Sequence, residues 1–244
     1  MMVLVVTLLG FGAMALAHMA PFPFLLEYMG PDRSLWRMPR SDGAPTVYLT
    51  FDDGPNPTAT PQLLDVLGAE GVKATFFLIP RHITGETAPI VRRMFDEGHA
   101  VALHWHSREL MLLPPTRLAA TLDAAAEEIE HLTGHRPCRL FRPHAGWRGS
   151  QMYAGLARAD YTLAGFSYSM WDWNWWRAQP PARIVTRLAE RASDGSVIVM
   201  HDGHHANPRA DRRRTVVATA ELVPVLRARG FEFGLVCQPE PNVP

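Results

Sequence analysis

The sequence predicts a parallel α/β fold. From Thr46 onward, short apolar runs alternate with amphipathic helical segments, the pattern of strands joined by helical crossovers. The polar residues that stand out follow those apolar runs: Asp52 and Asp53, His104 and His106, Arg142 and His144, Asp172, then His201 and Asp202. In a β/α barrel the C-terminal strand ends converge on one rim, where chemistry collects.

Taken in order, Val47, Tyr48 and Leu49 run as a buried strand into Thr50-Phe51-Asp52-Asp53, and Gly54-Pro55 breaks it. Thr60 and Pro61 read as the N-cap and first-turn proline of a helix that carries Leu63, Leu64 and Leu67 and stops at Gly71. A strand over 73–79, a helix over 90–97 ended by Gly98, and a strand over 100–106 follow. The clearest helix places Leu118, Leu122, Ala125, Ile129 and Leu132 on one face and closes at Gly134. Next come a strand over 139–142, a helix over 150–159, a strand over 161–168 and a helix over 184–192. A strand over 197–200, a helix over 215–229 and a strand over 231–236 complete the alternation.

Residues 1–27 form an apolar leader. Ala15-Leu16-Ala17 is similar to a small-residue cleavage site, but no basic segment precedes it, so signal peptide and membrane anchor both stand. Residues 28–45 read as a linker rich in Pro, Gly and Arg, residues 46–237 as the catalytic domain and 238–244 as a tail. Hydrophobic residues make up 47% of the 244 and charged residues 20%, enough for a substantial core. Zero formal net charge argues against a nucleic-acid partner. Cys138 and Cys237 flank predicted strands. They are expected as separate buried thiols, with a disulfide as the alternative if the domain is exported.

Two adjacent carboxylates at a strand end repel each other, and a metal ion or a proton is the usual counter-charge. With that pair, residues 46–236 resemble the polysaccharide deacetylases, the NodB-homology or carbohydrate esterase family four group. Thr50-Phe51-Asp52-Asp53-Gly54-Pro55 matches that family's first motif in full. Residues 98–110 resemble the histidine-bearing second motif, and Phe141-Arg142-Pro143-His144-Ala145-Gly146 the third. Residues 166–173, ending in Asp172-Trp173, resemble the fourth, and Val197-Ile198-Val199-Met200-His201-Asp202 matches the fifth.

The resemblance implies a distorted (β/α)7 barrel and a metal-dependent hydrolase that removes N-acetyl or O-acetyl groups from a carbohydrate or glycolipid. It implies zinc, with cobalt or another divalent ion as the alternative. It makes Asp52 the catalytic base, Arg142 the residue that holds and tunes it, Asp53 and His104 metal ligands, and His201 the general acid oriented by Asp172. It gives the Ala145 backbone N–H to the oxyanion and Trp173 to the acetyl pocket. These parts suit the chemistry: a polarised carbonyl, an activated water, a protonated leaving amine and an oxyanion donor.

The family's second metal histidine falls on Arg108, and a guanidinium is no ordinary ligand. If the strand stays extended to 106, His104 and His106 share a face, which makes His106 the expected third ligand. His144, standing where the family has Pro, is the weaker alternative. Ser169 replaces a customary acid, and Ala145 a customary aromatic. The tryptophans at 171, 173, 175 and 176 suit either a sugar-stacking wall or core packing. His204, His205 and the run Arg212-Arg213-Arg214 read as a solvated loop; holding an acidic substrate or an anionic headgroup is the weaker reading of the arginines. Two rival functions remain: a glycan-binding barrel that has lost turnover, and a hydrolase of a non-sugar C–N amide. The leader points to an extracytoplasmic or membrane-anchored protein, with a cytoplasmic one not ruled out.

Overall fold

The structure, a computed structural model, describes residues 34–146, 148–169 and 179–238. The leader, Asp172, Trp173 and the tail beyond 238 lie outside the described residues.

Nine strands form one sheet among the described residues, in the order β1-β6-β5-β4-β3-β2-β8-β7, with β9 added against β2. They are β1 (Ser34–Leu35), β2 (Thr46–Asp52), β3 (Thr75–Leu78), β4 (Ala100–His104), β5 (Leu140–Arg142), β6 (Thr162–Ala164), β7 (Tyr168–Ser169), β8 (Ser196–His201) and β9 (Glu232–Phe233). Every strand pairing is parallel. Helices α1 (Ala59–Ala69), α2 (Ala88–Asp96), α3 (Pro115–Thr133), α4 (Ser150–Arg158), α5 (Pro181–Arg191) and α6 (Arg213–Ala228) make most of the crossovers. Short strands twist and curl, and the segment at 34–37 draws the two sheet ends together. Leu35 pairs with β6, and two residues later Arg37 bridges to Ser196 of β8. This is the curled, helix-covered barrel the motifs imply, and part of the stretch read as a linker is one of its staves.

The alternation of side chains along each strand decides which residues meet. Val47, Leu49 and Phe51, then Phe76 and Leu78, Val101 and Leu103, Phe141, Leu163, Ile198 and Met200 join the large core beneath the helices. Their neighbours Phe77, Ala100, Ala102, Leu140, Ala164 and Val197 form a separate core. On the same parity as this second set stand Asp52, His104, Arg142 and His201, each the last residue of its strand.

Some boundaries differ from expectation for local reasons. The strand expected over 161–168 splits at Gly165. There an added Cβ would lie 1.9 Å from the Trp36 ring, and the Gly165 N–H and carbonyl are committed to Leu35 and Arg142. Thr60 does not cap α1. Asn56 Oδ1 accepts the N–H groups of Thr58 (2.9 Å) and Ala59 (3.1 Å), while the Thr60 hydroxyl accepts from the Asn56 N–H and donates to Asp202. Gly134 ends α3 as expected, at φ 79°, in the left-handed region that favours glycine.

The expectation of two separate thiols is corrected. Cys138, just before β5, and Cys237, beyond β9, form a disulfide across a sequence separation of 99 residues. The chain after β9 is carried there by the Val236 N–H, which donates to Thr75 Oγ1 at 3.1 Å. A bridge closing so long a loop removes much unfolded-state entropy. Reduction, or replacement of both cysteines by serine, is expected to cost about 2–5 kcal/mol and to lower the thermal midpoint by about 5–15 °C. Calorimetry with and without dithiothreitol checks this, and equal midpoints would refute a stabilising role.

Candidate active site

The polar strand ends meet at the barrel mouth because their registers align. Asp52 stands opposite His201, and His104 opposite Arg142. Past Asp52 the chain turns sharply: Asp53 adopts φ 71°, a costly left-handed conformation for a non-glycine residue. The turn is wedged against the loop after β8. A Cβ on Gly203 would sit 2.0 Å from the Asp53 carbonyl oxygen, and one on Gly54 would sit 2.5 Å from the Asp202 carboxylate. The Gly203 N–H donates to the Asp52 carbonyl at 3.3 Å. Only glycines allow these two loops to approach so closely.

Asp52 is buried and bound to an equally buried cation. Arg142 Nη1 lies 2.5 Å from Asp52 Oδ1. The same guanidinium donates to Thr50 Oγ1 (2.9 Å), the Ala164 carbonyl (3.3 Å) and the Gly165 carbonyl (2.8 Å), and rests 3.8 Å over the Phe77 ring. A fork held on so many partners fixes the carboxylate in place.

Asp53, His104 and His144 each offer one ligand atom, and these atoms lie within 4.8 Å of one another, the only such cluster among the described residues. His104 Nδ1 is 2.6 Å from the Arg142 carbonyl. A carbonyl only accepts, so Nδ1 carries the proton and a neutral ring turns its Nε2 lone pair inward. That Nε2 stands 3.3 Å from Asp53 Oδ1, a buried oxygen that accepts no geometrically sound hydrogen bond. Two lone pairs facing each other in a buried site require a proton or a cation between them.

The electrostatics agree. Burial works to raise the Asp53 pKa, but the hydrogen-bonding contact and charge of His104, with the charges of His201 and Arg212, hold it well below the usual range. Burial works to lower that of His104, but Asp53, Asp52 and the Arg142 carbonyl raise it on balance. His144 is pushed down to about 4 by burial, and then by His104, His205 and Arg108 against the pull of Asp53. It is therefore neutral at pH 7, with a lone pair to give. The donor set of one carboxylate and two imidazoles fits a divalent ion such as zinc.

His106 does not belong to this cluster, so the chain does not bring it to Asp53 as expected of a third ligand. Sharing a face with His104 required extended backbone as far as 106, yet β4 ends at His104 and the chain bends toward a 3₁₀ turn at Glu109–Leu112. The His106 ring stacks on Trp105 instead, with centroids 5.5 Å apart. The third donor arrives from the neighbouring strand: His144 opens the turn directly after β5, in which Ala145 is left-handed at φ 53°. Of the arginine run, Arg212 is buried and donates to the Gly203 carbonyl at 2.5 Å, and Arg213 pairs with Asp211 at 2.6 Å. Asp202 stands at the rim with His201 but takes no role from the family resemblance. It is buried beside the site, and burial, with the charges of Asp53 and Asp52, pushes its pKa up to about 7 against the Thr60 hydrogen bond. Its position directly after His201 was the available signal.

Removing Arg142 would strand a buried carboxylate. Arg142→Met is expected to destabilise the fold by about 3–5 kcal/mol, and Asp52→Asn combined with Arg142→Met by clearly less, because no uncompensated charge remains. Urea denaturation of the single and double variants measures the difference; a double variant as unstable as Arg142→Met would show that packing, not charge, dominates.

The family model for polysaccharide deacetylase matches residues 39–164. A chitooligosaccharide deacetylase of Sinorhizobium fredii is 36% identical over 207 residues, covering 80% of this chain and 92% of its own. The structure of the peptidoglycan deacetylase PdaC from Bacillus subtilis superposes with a TM-score of 0.68 at 28% identity, covering 80% of this chain and 90% of its own. That of a family 4 acetyl xylan esterase from Clostridium thermocellum, in complex with a cobalt ion, gives 0.69 at 26% identity, with 78% and 88% covered. This chain belongs to the polysaccharide deacetylase family, the carbohydrate esterase family four deacetylases.

Proposed function

We propose that this deacetylase is metal-dependent and removes an N-acetyl, or alternatively an O-acetyl, group from a sugar in a glycan or glycolipid outside the cytoplasm. The carrying observation is the buried approach of His104 Nε2 to Asp53 Oδ1, at 3.3 Å, with His144 completing the donor set. Asp53, His104 and His144 would hold the ion. When bound, zinc, or cobalt in its place, supplies Lewis acidity to the acetyl carbonyl and to water.

The chain's own groups account for the proton transfers. Asp52, fixed by Arg142, takes a proton from the attacking water as the new C–O bond forms at the acetyl carbon. The Ala145 backbone N–H donates to the oxyanion. His201, across the register from Asp52, gives a proton to the leaving nitrogen as the C–N bond breaks, releasing acetate and a free amine. By the family resemblance, Asp172 would orient His201 and Trp173 would line the acetyl pocket.

The export reading draws on the Cys138–Cys237 disulfide, since such bridges persist in oxidising compartments. No helix among the described residues is long and apolar enough to cross a membrane, so membrane association rests with the leader at 1–27. A cytoplasmic site is the outcome if tagged protein fractionates there.

Acetate release from N-acetylated chitooligosaccharides with zinc or cobalt tests the activity, and Asp52→Asn is expected to lower it about 10²–10⁴-fold. Metal analysis tests the ligand set independently. One zinc per chain is expected in the wild type and in His106→Ala, and substoichiometric zinc in His104→Ala and His144→Ala. Zinc retained by His144→Ala but lost from His106→Ala would overturn the assignment. Glycan binding without metal or acetate would favour a barrel without turnover, and release only from non-sugar amides would move the chemistry to another substrate.

A further inference from the structure

We propose that His205 is a positioning residue for the ion site, its ring holding the His144 imidazole in the orientation that completes the donor set with Asp53 and His104. The proposal rests on the metal-dependent reading above and gives a role to the paired histidines of the loop after β8.

His144 needs such support. It sits in the turn directly after β5, ahead of the left-handed Ala145, and is half-buried. The other imidazole of the cluster is held by a hydrogen bond, from His104 Nδ1 to the Arg142 carbonyl. No group among the described residues hydrogen-bonds the His144 ring, whose contacts are with two other rings. The His205 centroid lies 4.9 Å away with the planes at 57°, against 6.2 Å for His104. At that separation two aromatic rings are in direct contact. Imidazoles that bind a metal depend on outer partners to fix the ring, and for His144 the closer partner is His205.

The loop that carries His205 is fastened along its length. Arg212 Nε donates to the Gly203 carbonyl at 2.5 Å, Arg81 donates to the His205 carbonyl, Arg209 pairs with Glu86 at 2.5 Å, and Asn56 Nδ2 donates to the Ala210 carbonyl at 2.8 Å. Asn56 lies in the turn after β2, and Arg81 and Glu86 follow β3. The loop after β8 is therefore tied to both neighbouring turns while it meets the turn after β5. Arg81 is itself a firm anchor, because the next residue, His82, hydrogen-bonds through Nδ1 to the Asp53 carbonyl at 3.2 Å. Inside the loop, His204 Nδ1 accepts the N–H groups of Ala206 and Asn207, each at 3.1 Å, and the His204 ring stacks on His205 at 4.3 Å. Arg81 thus holds the His205 backbone and His204 braces its ring, so the contact with His144 comes from a supported side chain. A ring held in this way limits how His144 can turn, and orientation decides whether its lone pair reaches the site.

Zinc affinity of the full chain, measured by competition with a chromophoric chelator, provides the test, since it reads binding and not turnover. His205→Ala is expected to weaken zinc about tenfold, the order of a lost ring contact or outer partner. His205→Phe keeps a ring but brings no nitrogen, and should bind zinc as the wild type does. In a His144→Ala background His205→Ala should cost nothing further, because a residue that acts through His144 then has nothing to position. Arg81→Gln, which frees the His205 carbonyl, should weaken zinc in the same direction by a smaller factor, and it carries the test if the metal-free His205→Ala protein melts early. The proposal is overturned by wild-type affinity in His205→Ala. It is also overturned by His205→Phe as weak as His205→Ala, which would make His205 a direct donor, or by an undiminished His205→Ala effect without His144. Weakened zinc in His144→Ala beside unchanged His205→Ala refutes the positioning role and leaves the donor set standing. A wild type that binds no zinc, or a His144→Ala that binds it unchanged, sinks the metal-dependent reading or its donor set, and this proposal with it.

Discussion

Three carboxylates, Asp52, Asp53 and Asp202, are buried at the ends of two adjacent strands, and the site follows from how each negative charge is compensated. Asp52 has a fully partnered guanidinium. Asp202 has a Thr60 hydroxyl and a pKa raised to about 7, so a proton serves it for much of the time near neutrality. Asp53 has the inward face of His104 and the more distant charges of His201 and Arg212, and the nearby His144 ring is neutral. Burying like charges so closely is unfavourable unless each finds a different answer. A guanidinium, a proton and a pair of imidazoles are three different answers.

Close backbone approach makes this arrangement possible. Gly54 and Gly203 let the loops after β2 and β8 touch where any side chain would collide. The left-handed turn at Asp53 places consecutive carboxylates in different surroundings, one beside Arg142 and the other beside His104. A second left-handed residue, Ala145, follows His144 directly, so the third donor and the proposed oxyanion donor share one turn. Two of the three left-handed non-glycine residues among the described ones thus lie where positioning matters, the third being Asp160 after α4, and the surrounding sheet and core hold them there.

Much of the fold was legible in residue order. Apolar alternation located the principal strands and helices, because parity along a strand is a local property. Asp52, His104, Arg142 and His201 were readable as strand ends of a common rim for the same reason. Bringing His106 to the same face by that rule required extended backbone as far as 106, yet β4 ends at His104. It depended on where β4 stops, and pairing with β3 and β5 decides that. The capping of α1 by Asn56 rather than Thr60 was likewise hidden, since Thr60 is drawn away by Asp202, 142 residues distant in sequence.

The sequence by itself determined the alternating α/β architecture, the parity that turns the polar strand ends inward, and the motif residues available for chemistry. These follow from spacing and side-chain type, which act over a few residues. Tertiary structure alone decided that His144 and not His106 joins Asp53 and His104, that Cys138 and Cys237 bond, and that Trp36 interrupts the strand at Gly165. Each depends on the distance between segments far apart in the chain, and that distance exists only once the sheet has curled and brought its ends together.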